Sequence, residues 1–288
     1  MARQTTIEKS VSASGIGLHT GVDVGIELVP APANTGYIFV RTDLDDFEIP
    51  ASAEYTSRCS YATTLLRNGV VLSTCEHLLS ALYGSGIDNC FIRIDNIEVP
   101  IMDGSSENFV ELIERAGRKR LRSQRRIFKV LEKVEFEDGD RLMSIEPHEG
   151  FRIDCLIDFP HPFIKTQTFQ FELSGDSFGK QIASARTFGF THEIEMLRRA
   201  NLALGGSLDN AIVLTSDGML NETPLRFDDE FVRHKILDII GDIALLGMPV
   251  QGLIKAKKSG HAVHASLVSK LLKSETAWEI IPDANDRN

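Results

Sequence analysis

The sequence has only four cysteines, Cys59, Cys75, Cys90 and Cys155, and no two of them form a Cys-x-x-Cys pair. That excludes a disulfide framework and gives no motif for a cysteine-held structural zinc, so a reducing cytoplasm is the expected compartment. No run of about 18 apolar residues occurs, and the opening MARQTTIEKSVSASG lacks the apolar core of a secretory signal. A membrane-spanning segment is therefore not expected, whereas contact with a membrane surface or a lipid-bearing substrate is left open. Positive charge is also scarce: 31 Lys and Arg stand against 41 Asp and Glu, a net charge of −10. Nucleic-acid binding needs a basic surface, so it is not expected here. The absence of His-Glu-x-x-His argues against an ordinary zinc peptidase. What is present, 42% apolar and 25% charged residues in a chain of 288, fits one large soluble domain or two ordinary ones.

Along the chain the pattern of strands first and helices later occurs twice. In the first half, VDVGIEL at 22–28 alternates as a strand does, 37–41 is a short apolar strand after the turn PAPANTG, and NCFIRI at 89–94 is another. Between them, STCEHLLSALYG at 73–84 reads as a helix with a capping box from Ser73 to Glu76 and a stop at Gly84. A second helix is expected over 107–117. In the second half, strands are expected at 128–136, 141–146 and 151–159, an amphipathic helix at 191–200, and a frayed polar tail from Glu279. Between the halves lies RKRLRSQRR, residues 118–126, with six basic side chains in nine. It reads first as a solvated linker and second as a patch for anionic headgroups or phosphates. The expected fold is α+β, two similar domains that each pack a sheet on helices, at 1–122 and 127–280, with 281–288 as tail.

The segment RFDDEFVRHKILDIIGD at 226–242 spaces His234, Asp238 and Asp242 four residues apart, on one face of a largely apolar helix. Buried carboxylates need a partner, a hydrogen bond or a metal. A salt-bridged helix, with Arg233 and Lys235 as counter-charges, satisfies that need as well. His77, on the helix at 73–84, completes with His234 and Asp238 a His, His, Asp set, the donor pattern of a catalytic zinc with one position open. Glu76, beside His77, is placed to take a proton from water, unless it serves only as a cap. His261, in KSGH, suits a cationic donor to a developing oxyanion if a carboxylate such as Asp242 keeps it protonated. His19 and His161 read as structural or substrate-contacting, and His148, His192 and His264 as surface or core.

Nine segments extend this reading: GIGLHTG (15–21), PAPANTG (30–36), TCEHLLSAL (74–82), IDN (87–89), VPIMDGS (99–105), ARTFGF (185–190), LGGSLDNAIV (204–213), RFDDEFVRHKILDIIGD and KSGHA (258–262). Together and in this order they closely resemble the UDP-3-O-acyl-N-acetylglucosamine deacetylases, which catalyse the committed step of lipid A biosynthesis. The resemblance implies a zinc amidase of two α+β domains around its active site, acting on a UDP-sugar. It implies His77, His234 and Asp238 as ligands of Zn²⁺, with Fe²⁺ an alternative occupant, Glu76 as general base, and His261, charged and oriented by Asp242, as donor. It also implies Thr187 on the tetrahedral intermediate and Lys235 on the substrate. A passage for the acyl chain would involve Phe188, Ile194, Ala203, Ser207, Ala211 and Val213, with Leu18 a further substrate contact. A monomer is expected. Other readings are a zinc amidase for a different acylated amino sugar and a non-catalytic zinc scaffold.

Overall fold

The structure is a computed structural model that describes residues 1–57 and 61–284. The first half contains β1 (Arg3–Ile7), β2 (Val11–Ile16), β3 (Asp23–Pro30), β4 (Tyr37–Arg41), β5 (Phe47–Pro50), the small hairpin β6 (Leu65–Arg67) and β7 (Val70–Leu72), then helix α1 (Glu76–Gly84), β8 (Cys90–Ile94) and α2 (Glu107–Ala116). Its five-stranded sheet runs in the order β2-β3-β8-β4-β5, antiparallel except for the pair β4 and β8. Strand alternation supplies its core face: Val24, Ile26 and Leu28 of β3 are buried, while Asp23, Gly25 and Glu27 are not.

The second half contains β9 (Arg118–Gln124), β10 (Arg126–Val130), β11 (Val134–Asp138), β12 (Arg141–Glu146), β13 (Phe151–Asp158) and β14 (Thr166–Glu172). Then follow α3 (Ser177–Gln181), β15 (Phe188–Phe190), α4 (Thr191–Arg199), β16 (Ile212–Leu214), α5 (Glu230–Ile243), β17 (Val250–Lys257), α6 (His261–Lys273) and β18 (Trp278–Pro282). Strand β17 is the centre of a seven-stranded sheet, antiparallel to β12 and parallel to β13. Val250, Gly252, Ile254 and Ala256 form its buried face.

Helices α1 and α5 pack against each other between the two sheet regions. Eight of the nine residues of α1 are buried. A helix enclosed on all sides explains why its apolar positions do not form a single stripe. The α+β expectation of two sheet-and-helix regions flanking one site is the architecture found.

Four local expectations are corrected. The capping box does not form: Ser73 is paired with Glu98 in a β-bridge, and the Glu76 carboxylate accepts from the backbone N–H of Thr63 (3.0 Å) instead. Residues 118–124 are a strand paired antiparallel with β1, not a solvated linker, and Arg125 is buried in an ion pair with Asp88 (2.8 Å). The expected strand at 128–136 is two strands, broken at 131–133. The chain past Glu279 is held rather than frayed: β18 pairs with β10 through Pro282, and the N–H of Asp283 donates to Arg125 O (2.9 Å). Residues 285–288 of the expected tail, and Cys59, lie outside the described residues. Cys75, Cys90 and Cys155 are buried free thiols, and among the described residues no helix is long and apolar enough to cross a membrane.

Candidate metal centre and reaction cavity

The contact of α1 with α5 sets the first turn of one helix against the middle of the other. His77 and Glu76 come from α1; His234, Lys235, Asp238 and Asp242 come from one face of α5. One donor atom each from His77, His234 and Asp238 lies within 4.8 Å of the others, and all three residues are buried. The two imidazole rings stand edge to face, 5.0 Å apart. His234 Nε2 is 3.3 Å and His77 Nε2 3.7 Å from Asp238 Oδ1.

Hydrogen bonding determines what that cluster can hold. His234 Nδ1 lies 3.0 Å from Ala185 O, which only accepts, so the ring proton resides on Nδ1. Burial, with help from Lys235 and His77, outweighs the pull of Asp238 and lowers the His234 pKa to about 3, so the ring is neutral and its Nε2 is a bare lone pair. It faces Asp238 Oδ1, a buried oxygen without a hydrogen-bond partner. Although burial opposes ionisation, the Lys235 ammonium and the His261 cation hold the Asp238 carboxyl well below the usual carboxylate range. Its other oxygen accepts from Lys235 Nζ (2.9 Å). Two acceptors facing each other without a hydrogen between them call for a cation, and two imidazoles with one carboxylate are a donor set for a divalent ion.

A second chain of contacts lies beside the first. His261 Nδ1 donates to Asp242 Oδ2 (2.8 Å), His264 Nδ1 donates to the same oxygen (2.7 Å), and the Thr63 hydroxyl donates to Asp242 Oδ1. The Ser259 hydroxyl completes the chain by donating to His264 Nε2 (2.9 Å). Burial opposes the charge on His261, yet Asp242, Glu76 and Asp238 raise its pKa to about 9. His261 is thus a cation at neutral pH, with Nε2 3.8 Å from Glu76 Oε1. Burial pushes the Glu76 carboxyl above its ordinary value, only partly opposed by His261 and His77. The result is a carboxylate of raised basicity held next to an imidazole that stays cationic.

These groups open into a cavity of about 650 Å³ whose lining includes Leu18, Glu76, His77, Thr187, Phe188, His234, Lys235, Asp238 and His261. Asp242 is not in the lining; it sits behind His261. Ile194, Ala203, Ser207, Ala211 and Val213 are outside it as well. Ile194 lies on α4, Val213 is paired with Gly189 across β15 and β16, and Ala203 is buried. Ser207 and Ala211 sit in a turn pinned by Asn210 and Asn221.

Sequence reasoning missed two groups, Thr63 and the role of His264, whereas His19 reads from sequence as structural or substrate-contacting. Thr63 holds both Glu76 and Asp242, but it lies in an irregular loop without periodicity. His264, read as surface or core, is fully buried and shares Asp242 with His261; its spacing of three from His261 on α6 was the available signal. His19 lines the cavity with both ring nitrogens buried and unpartnered, in a loop whose N–H groups at His19 and Thr20 donate to Glu98 (2.8 Å each).

A family model described as UDP-3-O-acyl N-acetylglycosamine deacetylase (LpxC) matches residues 4–273. Proteins named UDP-3-O-acyl-N-acetylglucosamine deacetylase are similar over nearly the whole chain. That of Solibacter usitatus is 46% identical over 281 residues, 98% of this chain and 95% of that relative. Those of Marinobacter nauticus and Idiomarina loihiensis are 48% and 47% identical, each over 98% of this chain and 93% of the relative.

Proposed function

The chain belongs to the UDP-3-O-acyl-N-acetylglucosamine deacetylase family, and from that premise we propose that it hydrolyses the 2-acetamido group of UDP-3-O-acyl-N-acetylglucosamine. The products are acetate and UDP-3-O-acyl-glucosamine, and the step commits the sugar to lipid A biosynthesis. The observation that carries this reading is the bare His234 Nε2 facing the unpartnered Asp238 Oδ1, with Glu76 and His261 on the same cavity.

His77, His234 and Asp238 hold the divalent ion, which we take to be zinc, with iron(II) able to occupy the same donors. When bound, the ion supplies Lewis acidity, polarising an amide carbonyl and lowering the pKa of water towards about 7. Glu76 keeps one oxygen fixed by the Thr63 N–H and presents the other to the cavity, where it removes a proton from the attacking water. His261 Nε2–H and the Thr187 hydroxyl donate to the oxygen that becomes negative as the carbonyl carbon turns tetrahedral. Asp242 holds the His261 ring with Nδ1 inward and Nε2 towards the cavity. The amine leaves once its nitrogen has gained a proton from the Glu76 and His261 pair.

Lys235 serves the substrate, and Phe188, whose ring lies 5.4 Å from Lys235 Nζ, starts the acyl passage. Ile194, Ala203, Ser207, Ala211 and Val213 continue it, and Leu18 contacts the sugar end. We divide the chain at 122 and 127, and read it as a cytoplasmic monomer without a nucleic-acid partner and with reversible contact to a membrane surface. Release of acetate from the acylated UDP-sugar by purified protein tests the reaction. Folded, metal-loaded protein that releases none contradicts it.

A further inference from the structure

Glu98 is a buried carboxylate, 1% exposed, that the chemistry above does not use. It accepts from three neutral donors: the His19 N–H to Oε1 (2.8 Å), the Thr20 N–H to Oε2 (2.8 Å) and the Thr74 hydroxyl to Oε1 (2.9 Å). The backbone around it is laced on two sides. Ser73 N–H donates to Ile97 O (2.8 Å) and Val99 N–H to Ser73 O (3.0 Å), while Ile101 N–H donates to Ile16 O (2.9 Å). Glu98 thus stands between the loop at 17–21 and the segment that leads into α1.

Both things that it holds are specialised. Thr74, two residues before Glu76, has φ +56°, a left-handed conformation that costs a β-branched residue energy and persists only where its surroundings enforce it. At Gly17 a β-carbon would collide with Glu98 Oε2 and Thr20 Oγ1, so the carboxylate reaches the loop only because residue 17 is glycine. Leu18, His19 and Thr74 line the reaction cavity with Glu76 and His77, whereas Glu98 lies behind them. Burial lowers the His19 pKa, only partly opposed by Glu98, so the ring is neutral at neutral pH and offers one donor and one acceptor. Both are buried and without a hydrogen-bond partner among the described residues, and a buried polar pair of that kind is placed for a ligand.

We propose that Glu98 is a positioning residue for substrate binding: it ties the 17–21 loop to the start of α1 and so fixes the His19 ring relative to Glu76 and His77. The inference rests on the reading of this cavity as the deacetylation site and of His19 as a substrate contact. The contact pattern requires a carboxylate, because both oxygens act only as acceptors. An amide in that place turns one oxygen into a donor, and either orientation sets it against a backbone N–H, of Thr20 in one case and of His19 in the other. The loop is then released from α1. Glu98 touches none of His77, His234, Asp238 and His261, so its loss weakens substrate binding more than it slows the chemical step.

Kinetics of acetate release and amide deuterium exchange, both on zinc-loaded full-length protein, test it. Glu98→Gln is expected to raise KM at least about tenfold and to change kcat less than about threefold, with bound zinc unchanged. The His19 and Thr20 amides should exchange at least about tenfold faster, while those in the last turn of α1 keep their parent rates. Since Glu98 acts through His19, adding Glu98→Gln to His19→Ala should lower kcat/KM less than about threefold, against about tenfold or more in the parent. Gly17→Ala displaces the carboxylate without removing it; it should raise KM likewise, and it carries the test if Glu98→Gln does not fold. A parent-like KM in the folded variants, unchanged exchange at His19 and Thr20, or the full loss of kcat/KM in the His19→Ala background overturns the proposal. A parent that releases no acetate contradicts the deacetylase reading instead. Calorimetric affinity for the intact acylated UDP-sugar then decides the role of Glu98: weaker binding by Glu98→Gln supports it, and equal binding overturns it.

Discussion

Gly241 on α5 lies directly against the backbone carbonyl of Glu76 on α1, with no room for a β-carbon between them. The residue that brings the two helices together is thus one turn from Asp238 and next to Asp242. The separation of the helices sets the separation of His77 from His234.

Gly241→Ala is expected to push α5 away from α1. It should cost about 1–3 kcal/mol of stability, as overpacking does, and weaken metal affinity because the ligands sit on different helices. Urea unfolding and a metal titration check this; an unchanged midpoint with unchanged affinity contradicts it.

Glu76→Gln should retain the metal and lose about 10²–10⁴ in kcat, since the base is removed and the ligands are untouched. Asp238→Ala should lose both metal and turnover. Metal content and rate measured on the same preparations separate the two. Substantial turnover in Glu76→Gln excludes Glu76 as the base.

The pKa of about 9 at His261 gives a pH limb with a definite sign. The ring is charged below about 9 and neutral above, so kcat should fall about tenfold per pH unit on the alkaline side. In His261→Gln the remaining slow rate should lack that limb. The stability that comes from the raised pKa is complete below the ordinary value of 6.5 and is lost as pH rises through about 9. Thermal unfolding of the parent should therefore decline over that window more than that of His261→Gln.

His264 acts through Asp242 rather than on substrate, so the replacement should decide the outcome. His264→Asn keeps an N–H for Asp242 and should stay within about fivefold of the parent in kcat. His264→Leu removes it, leaves part of a buried carboxylate unmatched, and should cost about 1–3 kcal/mol of stability and lower kcat more than it alters KM. Equal kinetics in the two variants contradict the role.

The sequence made the metal cluster legible because His234 and Asp238 share one helix, where spacing dictates direction, and His77 lies on another with apolar positions that mark it as helical. Thr63 could not be found that way, since loop residues carry no period that fixes where they point. Ser73 misled for a related reason: its spacing to Glu76 is that of a cap, but its backbone is committed to pairing with Glu98. The basic stretch at 118–126 looked like a linker by composition, whereas its partner, β1, lies more than a hundred residues earlier. Long-range pairing of that kind leaves no local signature.

The central claim is that His77, His234 and Asp238 hold one catalytic ion beside Glu76 and His261. Acetate release from UDP-3-O-acyl-N-acetylglucosamine, followed while metal-stripped protein is titrated with Zn²⁺, tests it most directly. Activity should rise in proportion to zinc and reach its plateau at about one ion per chain, the number that one three-donor site holds. Full activity in the metal-free protein, or none in folded protein carrying one bound zinc, would contradict the account.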